Sequence, residues 1–185
     1  TVNLTWTSNP VVVRPFGFCV TAASATTANN NPNATDATGS VFTTAGTSFN
    51  TTVTAMSWQA ADDTNNDGVP DSSANLCDNT ITPNFGRHTT APTVTLSSTL
   101  QQPSGGTAGT LTGNTSIITA FNNPNGEFQG TLNWSEVGII TLNSLSSNYL
   151  NSGMNMTGTR TNVGRFIPHH FVISNGSLTN RTDLS

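Results

Sequence analysis

"NPNGEFQGTLNWSEVGIITLNSL", residues 123–145, decides the class of fold. Its first arm carries Phe128, Leu132 and Trp134 at even positions. Its second arm puts Val137, Ile139 and Thr141 on one side and Ile140 and Leu142 on the other. Alternation with period two marks a strand, because successive side chains point to opposite faces. "SEVG", residues 135–138, reads as the turn of a hairpin joining the arms, and Asn125-Gly126 as a separate turn before the first arm.

The rest of the chain repeats this grammar. "PVVVRPFGFCV" (10–20) can enter a ladder through Val11–Val13, and Pro15 restricts it to an edge or a bend. "AGTSFNTTVTA" (45–55) alternates Phe49, Thr51, Val53 and Ala55 with polar residues, as a strand with one wet face does. "NTITPNFG" (79–86) reads as a short interrupted strand. "APTVTLSSTLQQP" sets Val94 and Leu96 on one face, and "GTLTGNTSIITAF" brings Leu111 near Ile117, Ile118 and Phe121. "RFIPHHFVIS" is a last β-rich run. Between the first two strands, residues 21–40 are small, polar and aperiodic, which predicts a long mobile loop. No window carries a capped helical stripe, and no fixed repeat suggests a solenoid. The fold class expected is all-β: an immunoglobulin-like Greek-key β-sandwich with long polar loops. The expected division is a leading strand and polar loop over 1–39, a sandwich module over 40–160, and a terminal β-rich segment over 161–185. That last segment starts a following module or packs back on this one.

Composition narrows the function. Charged residues are 8% of the 185, hydrophobic residues 34%, and the net charge is −4. Low hydrophobicity with high charge would mean disorder; a neutral Thr/Asn/Ser surface over β-branched runs means a folded polar β protein. The five arginines are scattered and lysine is absent, so the basic footprint of a nucleic-acid binder is missing. No apolar run approaches the ~18 residues of a membrane span. The chain starts at Thr1 without Met or signal peptide, which reads as a mature or excised piece of a longer precursor. Cys19 and Cys77 permit one disulfide, at home in an extracytoplasmic compartment. It would close a loop worth roughly 3–4 kcal/mol in the chain-entropy model.

"DTNNDGVPD", residues 63–71, gathers three of the nine acids. Calcium loops place oxygen donors at alternate positions, a glycine at the reversal, a backbone carbonyl after it and a later acid. Asp63, Asn65, Asp67, Gly68, Val69 (by its carbonyl) and Asp71 fill those places. Ala74 stands where an EF-hand carries its bidentate Glu, so the loop is not a complete EF-hand; followed by "LCDN" (76–79), it resembles the shorter calcium loops of thrombospondin type 3 repeats, with Asp62 and Asp78 as further oxygen sources. The expectation is a structural Ca²⁺ site pinning an inter-strand connection, of the ~10⁻⁴–10⁻³ M class. A solvated Asp/Asn/Gly turn is the plainer alternative.

Catalytic constellations are weak. His169 and His170 in "PHH" invite a metal pair, but neighbours in a strand point to opposite faces. Glu127 and Glu136 invite a glycosidase reading, which requires the hairpin to bring them together; solvent-facing charge is the simpler account. No nucleophile turn, zinc helix or phosphate loop is present. Trp6, Trp58 and Trp134 are read as core aromatics before a sugar platform. Threonine-rich strands lack the regular array that ice binding needs. The chain is therefore expected not to be an enzyme.

Four stretches together carry a resemblance: "VVVRPFGF" (11–18), "AGTSFNTTVTA" (45–55), "TPNFG" (82–86) with "LNWSEVGIITL" (132–142), and "VGRFIPHHF" (163–171). The set resembles the MshQ-like family, large surface proteins associated with the mannose-sensitive haemagglutinin type IV pilus of Gram-negative bacteria. Separately, "AGTSFNTTVTA" (45–55) followed by "GEFQGTLNWSEVGIITLNS" (126–144) is similar to bacterial immunoglobulin-like modules. The resemblance implies an extracellular or cell-surface location, and pilus components or other modules of the same protein as partners. It assigns no functional residue. The function expected is a non-enzymatic structural or adhesive module, stiffened by calcium and the Cys19–Cys77 disulfide. The alternatives are a subunit of an extracellular fibre assembled by strand pairing, and a carbohydrate-binding module for surface glycans.

Overall fold

The computed structural model describes residues 7, 11–25, 30–88, 92–117, 126–172, 174 and 176. Among these residues nine strands succeed one another: β1 (Gly17–Ser24), β2 (Thr43–Thr44), β3 (Ser48–Met56), β4 (Val94–Gln102), β5 (Leu111–Gly113), β6 (Ser116–Ile117), β7 (Glu127–Trp134), β8 (Gly138–Ser146) and β9 (Met156–Ile167). They build two sheets, ordered β1-β3-β7-β5 and β2-β9-β8-β4-β6. All pairings are antiparallel except β2 with β9. The chain is an all-β sandwich, as its periodicity predicted. No helix among the described residues is long and apolar enough to cross a membrane.

The two arms of the deciding stretch are strands, β7 and β8, but they are not a hairpin. β7 pairs with β3 and β5 in one sheet, while β8 pairs with β4 and β9 in the other. "SEVG" is a crossover between sheets. The Trp134 carbonyl accepts from Gly46 N–H at 2.8 Å, and Ser135 N–H donates to Thr110. The physical reason lies in the side chains. Phe128, Leu132 and Trp134 on one arm, and Ile139, Ile140 and Leu142 on the other, are all buried. Two arms this apolar bury more surface facing each other across a core than lying side by side.

That core also takes Phe18 and Val20 from β1, Phe49 and Val53 from β3, Val94 and Leu96 from β4, and Val163 and Phe166 from β9. Phe42, Phe49 and Phe166 form an aromatic triangle with centroids 5.5–5.6 Å apart. At one corner the sheets pinch together. A Cβ at Gly158 of β9 would collide with the Phe18 carbonyl of β1, so only glycine fits.

Two expectations along the chain are corrected. β1 continues through Ser24, so residues 21–24 are strand; Asn31 then folds back, donating to the Ala22 carbonyl at 3.0 Å. The stretch from Asn31 to the start of β2 is irregular but fastened. The buried Asn31 accepts from Gly164 N–H at 3.0 Å and donates to the Asn162 carbonyl at 2.8 Å, and Arg165 donates to the Ala37 carbonyl at 2.7 Å. Residues 79–86 make only an isolated bridge, Met56 with Ile81, rather than a strand. Phe85 nevertheless enters the core, 5.4 Å from Phe18. Ile118, Phe121, Asn125 and Trp6 lie outside the described residues.

Candidate functional site

β3 ends at Met56 and β4 begins at Val94. Residues 57–88 between them contain two short 3₁₀ turns, Ala60–Asp62 and Leu76–Asp78, and no strand. Five of the nine acids fall here: Asp62, Asp63, Asp67, Asp71 and Asp78. The Cys19–Cys77 disulfide ties the second 3₁₀ turn to edge strand β1, with Cα atoms 4.8 Å apart. A second apolar cluster forms around it from Phe16, Cys19, Met56 and Leu76. The connection is thus anchored covalently and by burial to β1 and the end of β3.

Asp63 is the hub of the acidic loop. It is 3% exposed. Its Oδ1 accepts from Asp67 N–H at 3.0 Å, and its Oδ2 accepts from Gly68 N–H at 3.1 Å and from the Trp58 indole N–H at 2.8 Å. Around it, Asn65 Oδ1 accepts from Asp67 N–H at 3.2 Å, and Asn65 Nδ2 donates to Asp67 Oδ2 at 3.0 Å. Asp67 Oδ1 accepts from Val69 N–H at 2.8 Å. Asp71 Oδ2 accepts from Thr64 N–H at 2.9 Å and from its hydroxyl at 2.6 Å. Those two donors, hydroxyl first, hold the Asp71 carboxyl below the usual carboxylate range. The Arg14 guanidinium donates to the Gly68 carbonyl, placing a positive charge at the turn. Gly68 takes φ +77°, the left-handed conformation that the reversal requires.

The loop therefore gathers its acids around backbone N–H donors. Among the described residues, no group of three or more His, Cys, Asp or Glu side chains is placed to hold a metal ion. Asp62, 6% exposed, accepts from Asn75 N–H through Oδ1 at 3.1 Å. Its buried Oδ2 has no hydrogen-bond partner. Asp78 accepts from Asn75 Nδ2 at 2.9 Å. The Val69 side chain is 53% exposed.

The other candidates separate. Glu127 opens β7 and Glu136 lies just past its far end. Seven strand rises between the ends of β7 span about 23 Å, far beyond the ~5–9.5 Å of a glycosidase pair. His88 Nε2 lies 3.0 Å from the Tyr149 hydroxyl. Burial raises the Tyr149 pKa. Trp134 is in the core at 1% exposed, while Trp58 is 51% exposed. Sequence reasoning missed the bond that aims Trp58 at Asp63; an indole five residues before an acid is too common a spacing to signal it.

A two-sheet sandwich with an acidic, disulfide-tethered connection is the class this geometry defines. Residues 14–135 match the description DUF6701, second domain, and residues 136–183 match DUF6701, third domain. The chain belongs to the DUF6701 family. The change between the two matches falls in the β7–β8 crossover, and strands from both share one sheet. No curated protein and no solved structure matches the chain.

Proposed function

We propose that this chain is a non-enzymatic structural module of an MshQ-like, pilus-associated or adhesin-like surface protein of a Gram-negative bacterium. The observation that carries the reading is the Cys19–Cys77 bridge between edge strand β1 and the connection that leaves β3. A disulfide persists in oxidising compartments. This one braces β1, the first strand among the described residues. The resemblance supports the reading, since its motifs supply Phe18, Phe49, Phe85, Leu132 and Phe166 of the core.

The proposal includes Ca²⁺ as the stiffening ion of the acidic loop. Two features support it. The Asp62 Oδ2 is a buried acceptor without a donor, a costly arrangement that a cation relieves. An ionised carboxylate also has about four acceptor sites, so the N–H bonds to Asp63, Asp67 and Asp71 leave capacity for a metal. Ca²⁺ would draw Asp63, Asn65, Asp67, the Val69 carbonyl and Asp71 inward. A second reading, carbohydrate recognition, is favoured by Trp58 alone: its ring is half exposed and held by Asp63, as a stacking platform would be.

The test is protease shaving of intact parent cells and peptide mapping of the released material, with a glycan array on the purified chain. Surface release of its peptides without glycan binding is the expected result. Protection of the chain in intact cells contradicts the location. Glycan binding lost in Trp58→Ala would make recognition the function instead.

A further inference from the structure

The chain's two consecutive histidines form a pair that strand geometry alone would not allow. β9 stops at Ile167, and Pro168 has no N–H with which to extend the ladder. His169 and His170 therefore lie past the strand, exposed and released from its alternation. Their Nδ1 atoms are 2.8 Å apart, and the rings stand at 84° with centroids 5.1 Å apart. In the metal-free pair one Nδ1–H donates to the other Nδ1.

We propose that His169 and His170 form a two-nitrogen chelate for a borderline divalent metal of the Cu²⁺ or Ni²⁺ type. Neutral imidazole nitrogen suits these ions. If the 2.8 Å separation of the hydrogen-bonded nitrogens is kept while both rings turn off the line that joins them, metal–nitrogen bonds of about 2.0 Å subtend about 90° at the metal. That is the angle between neighbours in square-planar or tetragonal coordination, the preference of Cu²⁺ and Ni²⁺. A tetrahedral ion such as Zn²⁺ needs the nitrogens about 3.3 Å apart. On binding, the shared proton moves from Nδ1 to Nε2 of the same ring. Both exposed rings turn off the N···N line so that their Nδ1 lone pairs meet at the metal, and the neutral pair releases no net proton. Water fills the remaining positions.

The third histidine does not compete, because His88 Nε2 faces the Tyr149 hydroxyl and its Nδ1 is buried. Nor does the acidic loop, whose hard oxygens suit Ca²⁺. The site stands whether or not the loop binds calcium.

The experiment is calorimetric titration of the full chain with Cu²⁺, Ni²⁺ and Zn²⁺, with electron paramagnetic resonance of the copper form. The expected result is one Cu²⁺ per chain, nitrogen couplings from two imidazoles, and Ni²⁺ held more tightly than Zn²⁺. Either His169→Ala or His170→Ala weakens Cu²⁺ by at least about tenfold, the low end of what removing even an outer partner costs a metal site. Both side chains are exposed, so an unchanged melting curve accompanies the loss, and excess Ca²⁺ leaves copper binding intact. Wild-type copper affinity in either variant, coupling to a single nitrogen, or Zn²⁺ held more tightly than Ni²⁺ overturns the proposal.

Discussion

Phe49 and Asp63 stand close in sequence and both are buried, Phe49 fully and Asp63 to 3% exposure. Around Phe49 the neighbours are Phe42 and Phe166, held by contact and by exclusion of water. Around Asp63 they are two backbone N–H groups and an indole N–H, each aimed at one of two oxygens. Apolar burial is non-directional and scales with area. A buried carboxylate is stable only while every donor stays in place. The sandwich can thus absorb small changes of shape, whereas the acidic connection depends on individual atoms and on its tether to β1.

Four perturbations would break or sharpen that contrast. The largest effect is expected at the core: Phe166→Ala should cost about 3–5 kcal/mol, read as a lowered urea midpoint. Reducing the Cys19–Cys77 bridge, or replacing both residues with serine, should cost about 3–4 kcal/mol and loosen residues 57–78 first in hydrogen exchange. Uniform loosening would show that the bridge supports the sandwich and the connection alike. Asp63→Ala should cost about 1–3 kcal/mol, the penalty of stranding its donors, and should shift Trp58 fluorescence. A cost equal to that of Phe166→Ala would erase the distinction. Calcium at about ten times its dissociation constant should add about 1.4 kcal/mol, reversed by a chelator and absent in Asp63→Ala; a melting temperature indifferent to both would remove the ion from the account.

The smallest effect is a pH dependence. Asp71 has a folded-state pKa below its ordinary 3.8. Its contribution is therefore present above that ordinary value and lost as pH falls through the lowered one. Acid titration of Thr64→Val, which removes the hydroxyl donor, should show a shallower acid limb than the wild type.

Strand content was legible because β7 and β8 alternate so strongly, and the choice between hairpin and crossover was not. Side-chain period is a local property. Which sheet an arm joins depends on partners elsewhere in the chain, here β3 for one arm and β4 with β9 for the other. The loop at 30–42 was illegible for a related reason, since its order comes from Asn31 and Arg165 joining it to β9 across the chain. At the acidic loop the alternate oxygens and Gly68 were readable as a tight, inward-turned structure. That Asp63, rather than all the acids equally, would be buried at its centre was not, because its place is set by donors from Trp58, Asp67 and Gly68 that no spacing in the sequence announces.

The central claim is that the chain is a mechanical module whose disulfide withholds part of its length under load. Single-molecule stretching of the full chain between its termini tests this directly. With the bridge intact, one cooperative rupture should release a contour shorter than in the reduced chain by the sequence separation of 58 between the cysteines, about 200 Å at full extension. Equal contour gains in both redox states, or extension at low force without a rupture, would contradict the account.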